Sequence, residues 1–321
     1  MTFLFVGIDR MNHVLVIGSA TIDRVEQHGI SAVKMGGAVT YAGITFRKHG
    51  LHTTVVSNIA TQDVALFRIL HQQDIQLFNG VTKTTTMFVN HVDEDKRWQE
   101  IPVRAAPINA GQLQYAIRGV DHIHLGPLHP LDLEREILRL AQKKGIWVTL
   151  DVQGYVRRVE KGKVHPGISE DLHEALLACT VFNAERTELQ VILDAYQMGI
   201  DELMNAYKLS EIVVTNGSAG GRVVLMSGEV VSYEAQRVNH VVDTTGAGDV
   251  FFAAYLVSRL HQRHSVRVAC KHAALVAARQ VQGRYILEDC LRVERLRDVT
   301  PSFFSILADP RDGLEKVSGL S

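Results

Sequence analysis

Short runs of β-branched and leucine residues alternate along the chain with longer stretches whose apolar positions recur every three or four residues. "HVLVIGS" (His13 to Ser19) is an apolar run broken by glycine, the pattern of a buried strand entering a loop. "AVTYAGITFRKHG" (Ala38 to Gly50) has helical length with Gly50 as its stop, and "HTTVVS" (His52 to Ser57) predicts the next strand, completing a β-α-β unit. Downstream, "DHIHLG" (Asp121 to Gly126) predicts a strand, "LDLEREILRLAQKKG" (Leu131 to Gly145) an amphipathic helix, and "IWVTLD" (Ile146 to Asp151) another strand. "CTVFN" (Cys179 to Asn183) and "EIVVTNG" (Glu211 to Gly217) add two more. Strands alternating with helices predict an α/β fold, a doubly wound, mostly parallel sheet flanked by helices on both faces.

Two segments break the alternation. "TIDRVEQHGISAVKM" (Thr21 to Met35) and "TTTMFVNHVDEDKRWQEIPVRAAP" (Thr84 to Pro107), the latter with a turn at "DEDK", mix polar and apolar residues as antiparallel hairpins do. They predict a small β lid beside the carboxyl ends of the parallel strands, where α/β sheets bind ligands. The expected organisation is an N-terminal extension over residues 1–12, an α/β domain over 13–285 with its lid drawn from 21–35 and 84–107, and a C-terminal segment and tail over 286–321.

Composition narrows the function. Lysine and arginine total 34 against 35 acidic residues, a net charge of -1, which disfavours nucleic acid and anionic membranes as partners. Cys179, Cys270 and Cys290 are far apart with no C-x-x-C spacing, so neither a structural zinc site nor a disulfide framework is expected and a reducing, cytoplasmic setting fits. The start lacks a basic n-region, and no stretch approaches the ~18 apolar residues of a membrane span. Among 15 histidines, His122, His124 and His129 cluster in "HIHLGPLH", but no third ligand has metal-site spacing, so they are expected at a strand end lining the crevice. Asp151, closing "WVTLD", is expected at the mouth of that crevice, where it would orient Arg157, contact a substrate or cap a loop.

The densest chemistry lies in "VDTTGAGDVFFAAYL" (Val242 to Leu256). A helix starting near Ala247 or Gly248 leaves its first N–H groups without intrahelical acceptors, and glycines at 246 and 248 let an anion approach them. A carboxylate beside a phosphate site repels the phosphate, so Asp249 in that first turn needs a purpose, and general-base catalysis supplies one. Asp249 would take a proton from a hydroxyl attacking a phosphoryl group whose charge the N–H groups hold. The plain alternative is an acidic residue stabilising a helix N-terminus, worth roughly 0.3–1 kcal/mol. A Rossmann reading is weaker, since the third glycine of its motif would fall at Phe251.

Taken whole, "DTTGAGDVFFAAYL" resembles the C-terminal signature of the ribokinase or PfkB family of carbohydrate kinases, and "IGSATID", "KMGGAVTYAGITFRKHG", the hairpins and "VVTNGSAGG" follow the family's order from about His13 to Gly283. The resemblance implies an ATP- and Mg2+-dependent kinase acting on a hydroxyl of a small polyol, a sugar or cyclitol. It makes Asp249 the catalytic base and Gly246, Ala247 and Gly248 the anion hole. Asp23 matches the acidic residue that binds substrate hydroxyls, Gly36 and Gly37 the di-glycine against the substrate, and Thr215, Gly217 and Gly220 the nucleotide loop. Asp243 and Thr245 match positions that in some members ligate a monovalent cation such as K+.

Departures are as informative. Tyr41 stands where many sugar kinases carry a substrate-binding asparagine, which puts a furanose-specific contact in doubt. In "NAERTE", Asn183 matches the N-x-x-E motif near the nucleotide and magnesium, but Arg186 takes the glutamate position, leaving Glu185, Glu188 or water to hold the metal. "SNIATQD" has Ala60 in place of a glycine, so only Asp63 matches there. "GGAVTY", "TTTMFVN" and "LDVQGYVR" are more similar to the myo-inositol kinase-like branch. Other readings are a catalytically silent regulator on the same fold, which Arg186 would explain, and a nucleoside kinase of the same family. A dinucleotide-dependent oxidoreductase lacks its fingerprint. Open edges on the lid strands would let two chains pair as a homodimer.

Overall fold

A computed structural model describes residues 12–27, 30–93, 96–142 and 145–293. Residues 1–11 of the expected extension, the tip of the "DEDK" turn, the lysines of "QKKG" and the tail beyond Val293 lie outside these residues.

The larger sheet contains β1 (His13–Gly18), β4 (His52–Ser57), β5 (Gln76–Asn79), β8 (His122–Gly126), β9 (Trp147–Asp151), β12 (Val181–Glu185), β13 (Glu211–Thr215), β14 (Gly221–Leu225) and β15 (Val230–Tyr233). Its order is β15-β14-β13-β12-β9-β8-β1-β4-β5; β5 through β13 run parallel, and β14 and β15 add an antiparallel hairpin at one edge. Residues of β1 alternate between two cores, Val14 and Val16 in one and Leu15 and Ile17 in the other. Both faces are therefore dry, which is why this strand reads as an unbroken apolar run. The doubly wound fold expected from the sequence is the one observed.

The chain runs from β1 outward to β4 and β5, then returns to β8 on the other side of β1. Neighbouring strands at such a reversal send their connections to opposite faces and open a crevice at their carboxyl ends. Gly18 and Gly126 close the floor, where a Cβ on Gly18 would stand 2.1 Å from the Gly126 carbonyl oxygen.

Across this edge lies a second sheet of β2 (Thr21–Gln27), β3 (Ile30–Gly36), β6 (Thr86–Asp93), β7 (Lys96–Val103), β10 (Arg157–Glu160) and β11 (Lys163–Pro166), in the order β10-β11-β7-β6-β2-β3. The hairpins β2–β3 and β6–β7 match the two predicted segments, with β2 and β6 parallel to each other. The hairpin β10–β11 is an addition to the lid drawn from sequence, turning through Lys161 and Gly162 at φ 49° and 82°. Its two left-handed residues are those of a tight hairpin turn, but lysine replaces the asparagine or aspartate that usually announces one.

Two boundaries move. The helix expected from Leu131 runs only over Arg135–Ala141, because Asp132 is committed to a turn, accepting from the Leu128 and His129 amides at 2.9 and 2.8 Å. The segment after Ile286 is structured to Val293, whose amide donates to Val33 of β3 at 3.1 Å, so it packs on the lid.

Candidate active site

The "GAGD" stretch folds as its residue types dictate. Gly246 is left-handed at φ 71° and caps the helix Ala247–Leu256, whose residues from Val250 onward are all buried. That helix packs against Ala38–Lys48 and Val266–Val281, so its first turn is presented from a rigid base. A Cβ on Gly246 would stand 2.3 Å from the Tyr41 ring, whereas one on Gly248 would meet nothing within 4 Å. The open side of the turn is thus at Gly248. Ala247 donates its amide to the Thr244 carbonyl at 3.2 Å.

The residues expected to meet the acceptor come from the second sheet and from the helix Ala38–Lys48 that follows it. Asp23 of β2 is 6% exposed, and its Oδ1 accepts the Thr21 hydroxyl at 2.7 Å. A Cβ on Gly36 would lie 2.1 Å from Asp23 Oδ2, and Gly37, at φ 95°, would place one 2.2 Å from the Ser19 carbonyl. Gly36 is required by this close approach of backbone to carboxylate, and Gly37 by its positive φ and its approach to the Ser19 carbonyl. Burial pushes the Asp23 carboxyl up to about 6, against the lowering effect of the Thr21 hydrogen bond. Tyr41 is 1% exposed, its ring against Gly246 and its buried hydroxyl without a hydrogen-bond partner.

The charges that act on Asp249 are those of Asp151, Arg157 and Asp23, and Asp151 and Arg157 act in turn on Glu188. Burial, then the Asp151 charge, drives the Asp249 carboxyl well above the usual carboxylate range, while Arg157 pulls it down. Asp151 ends β9 as expected and accepts the Gln153 amide at 3.1 Å and the Asn183 amide group at 3.0 Å. Burial still raises it. Glu188 is pushed up to about 7 by burial and then by Asp151. Arg157, at the start of β10, lies against Phe88, 5.7 Å from the ring centroid, and donates to the Leu128 carbonyl at 3.2 Å. Its positive charge opposes the upward shift of all four carboxyls, Asp23 included. Such an arrangement can accept a proton: a desolvated carboxyl beside an open helix N-terminus, with one arginine opposing its upward shift.

Of the residues expected in the nucleotide loop, Thr215 ends β13 and Gly217 and Gly220 bracket a short turn at φ 52° and 82°. A Cβ on Gly217 would meet nothing, leaving room above the loop, while one on Gly220 would collide with the Tyr233 carbonyl at 2.2 Å. Asn183 is 4% exposed; it gives its amide to Asp151 and keeps a buried Oδ1 with no partner. Glu188 caps its own helix, accepting the Glu185 amide at 2.9 Å, whereas Glu185 and Arg186 are exposed. An orphaned carbonyl and one carboxylate suit magnesium, which keeps several waters and draws further ligands from phosphate. Among the described residues no three His, Cys, Asp or Glu side chains form a metal cluster.

The expected monovalent-cation positions hold something else. Lys34 of β3 donates to the Asp243 carboxylate and, at 2.8 Å, to the Thr245 hydroxyl. Burial raises the Asp243 carboxyl, but hydrogen bonds from Lys34 and Thr245 and the Lys34 charge outweigh it, leaving it below the ordinary range.

The histidines correct an expectation. His122 and His124 do not line the crevice; they are 0% and 1% exposed in β8, both within hydrogen-bond reach of Thr149 Oγ1 at 2.8 and 3.0 Å. They pack edge-on to Phe46, and burial lowers His124 to about 3, so they are neutral core groups. Lys34 was missed from sequence because nothing local marks it, and Arg157 entered only as a residue that Asp151 would orient, because its hairpin was not seen.

Residues 75–288, more than half of the chain, match the pfkB family carbohydrate kinase profile. The chain belongs to this family. The pfkB carbohydrate kinases are phosphotransferases that act on a hydroxyl group. An ATP-dependent ribose-1-phosphate kinase of Halopiger xanaduensis is 33% identical over 146 residues, and the match spans 45% of this chain and 43% of that kinase, less than half its length. A pyrophosphate-dependent kinase of the ribokinase family, in its sulfate complex, superposes with a TM-score of 0.74 at 22% identity, covering 84% of this chain and 95% of the other. Arabidopsis thaliana ribokinase complexed with ribose and ATP gives 0.65 at 19% identity over 92% and 97%. At these identities the likeness is one of fold. No helix among the described residues is long and apolar enough to cross a membrane.

Proposed function

We propose that this protein is a kinase that transfers the terminal phosphoryl group of ATP to a hydroxyl of a small polyol, a sugar or cyclitol. The observation that carries the reading is Asp249, desolvated in the first turn of the helix Ala247–Leu256 beside the open face of Gly248. The acceptor lies between lid and crevice, two of its hydroxyls donating to the Asp23 carboxylate. As the reacting oxygen attacks the terminal phosphorus, its proton passes to the Asp249 carboxylate and the bond to the bridging oxygen of ADP breaks. The backbone N–H groups of Gly246 and Gly248 hold the charge on the transferred oxygens, the Ala247 amide expected to join them being committed to the Thr244 carbonyl. A carboxyl raised above the ordinary carboxylate range is, when ionised, a stronger base than an ordinary aspartate, and a base of this kind contributes about 10²–10⁴-fold. Glu188 and Asn183 would hold the magnesium that accompanies the donor phosphates, and the Thr215 to Gly220 loop would take the nucleotide. The six-stranded lid excludes water, the competing acceptor.

The Halopiger relative is named for ATP and ribose 1-phosphate, and structurally similar kinases are named for pyrophosphate and myo-inositol, so both donors and both acceptor classes belong in the assay. The test is ADP release from ATP-Mg, and phosphate release from pyrophosphate-Mg, across pentoses, hexoses, cyclitols, sugar phosphates and nucleosides, with Asp249→Asn in parallel. One acceptor stimulating release only when Asp249 is present is the expected result. Silence across the panel, or full turnover by Asp249→Asn, would overturn it.

A further inference from the structure

The cation positions of the family motif are occupied by a side chain. Lys34 Nζ donates to Asp243 Oδ2 and to Thr245 Oγ1, and Thr245 in turn gives both its hydroxyl and its amide to Asp243 Oδ1, at 2.8 and 2.9 Å. Both Asp243 oxygens and the Thr245 hydroxyl are thereby engaged. The Lys34 side chain is only 11% exposed, so this ammonium is an interior charge rather than a surface one that a dissolved ion displaces freely. An ammonium carries the single charge of potassium on a compact head, but fixed to the chain.

Where that stem is rooted matters. Lys34 sits directly opposite Asp23 in the β2–β3 register, so one strand pair carries both the acceptor-binding carboxylate and the ammonium. Asp243 lies three residues before Gly246, and its own amide donates to the Val281 carbonyl at 3.2 Å. The contact thus ties the loop that shapes the anion hole to the strand pair that holds the acceptor, which a free ion bound to the loop alone would not do.

We propose that Lys34 replaces the monovalent cation at Asp243 and Thr245, holding the anion-hole loop in register with the lid and freeing the protein from potassium. The catalytic consequence rests on the kinase reading; the exclusion of the ion does not. Lys34 is a positioning residue, acting on the reacting groups through Asp243.

The first experiment is anomalous diffraction from crystals of the full chain soaked in thallium(I), a potassium mimic, for wild type and Lys34→Ala, with melting temperatures in potassium and choline chloride at equal ionic strength. The expected result is no thallium at Asp243 in wild type and one ion there in Lys34→Ala, with only the variant stabilised by potassium over choline. Thallium at Asp243 in wild type, or a folded Lys34→Ala that binds none, overturns the proposal. Should Lys34→Ala not fold, Lys34→Gln takes its place, and the wild-type result decides by itself. With an acceptor in hand, wild-type rates should be the same in both salts. Lys34→Ala should lose about a hundredfold in choline, the cost of misplacing reacting groups by an ångström. Potassium or ammonium should restore most of that rate while hardly changing the acceptor KM. A silent acceptor panel would sink the kinase reading and leave the thallium result standing.

Discussion

Replacing Gly248 by alanine separates what the anion hole does for catalysis from what it does for folding. Gly248 is the second residue of the helix Ala247–Leu256 and is not among the left-handed glycines, so alanine adopts its backbone without strain. An added Cβ meets no protein atom within 4 Å. Removing a glycine's freedom from the unfolded chain at such a site stabilises by about 0.4–1 kcal/mol. For a large domain that is a rise of no more than about 4 °C in Tm. The same methyl projects into the side from which a phosphoryl group must approach the helix amides. Displacing that group by about an ångström, or depriving it of one donor, costs on the order of 10²–10³ in kcat. Gly248→Ala should therefore melt at or above the wild-type temperature and turn over at least about a hundredfold more slowly. Thermal melting and initial rates with a saturating acceptor check the two halves together. A variant as active as wild type would refute the claim that phosphate reaches the backbone at Gly248, whatever its stability.

Gly246→Ala should behave oppositely, losing stability as well as activity: a left-handed alanine costs roughly 1–2 kcal/mol before its Cβ meets the Tyr41 ring at 2.3 Å; an unchanged melting temperature would refute the geometry. Protons should oppose function and favour the fold. The carboxyls of Asp23 and Glu188, raised to about 6 and about 7, bind protons in the folded state that the unfolded chain, with ordinary carboxylates near ~4, does not. Their stabilising contribution is full below about pH 4 and is lost as pH rises through about 6 and 7, while acceptor binding to ionised Asp23 fails as pH falls through about 6. Melting of Asp23→Asn against wild type between about pH 5 and pH 8 should show a flatter pH dependence in the variant, and identical slopes would refute this. Arg157→Met removes the cation that holds the acids down, so the acidic limb of kcat/KM should move to higher pH, and a profile unmoved from wild type would show that Arg157 does not act on them.

Why some of this was legible in the sequence and some not follows from the range of the interactions involved. The parallel sheet announces itself because Val14 to Ile17 of β1 pack alternately into two cores, so the middle of the strand is apolar throughout, and the hairpins β2–β3 and β6–β7 mix polar with apolar residues. The "GAGD" turn is legible because its requirements, a left-handed glycine and a helix start, are local. The hairpin β10–β11 is not, since Lys161 takes a left-handed conformation that its residue type does not advertise. Lys34 and Asp243 are 209 residues apart, and no periodicity connects them. What the sequence left undrawn has a common place in the fold. Lys34 and Arg157, the two cations among the acids, both stand on lid strands, whereas Asp151, Glu188, Asp243 and Asp249 all belong to the parallel-sheet body. Charge balance at the site therefore exists only where the two sheets meet. Lifting the lid would withdraw both cations from the body's carboxylates and at the same time admit the water whose exclusion is the larger cause of the raised proton affinities of Asp151, Glu188 and Asp249, so only the closed arrangement brings desolvated carboxyls and compensating cations together.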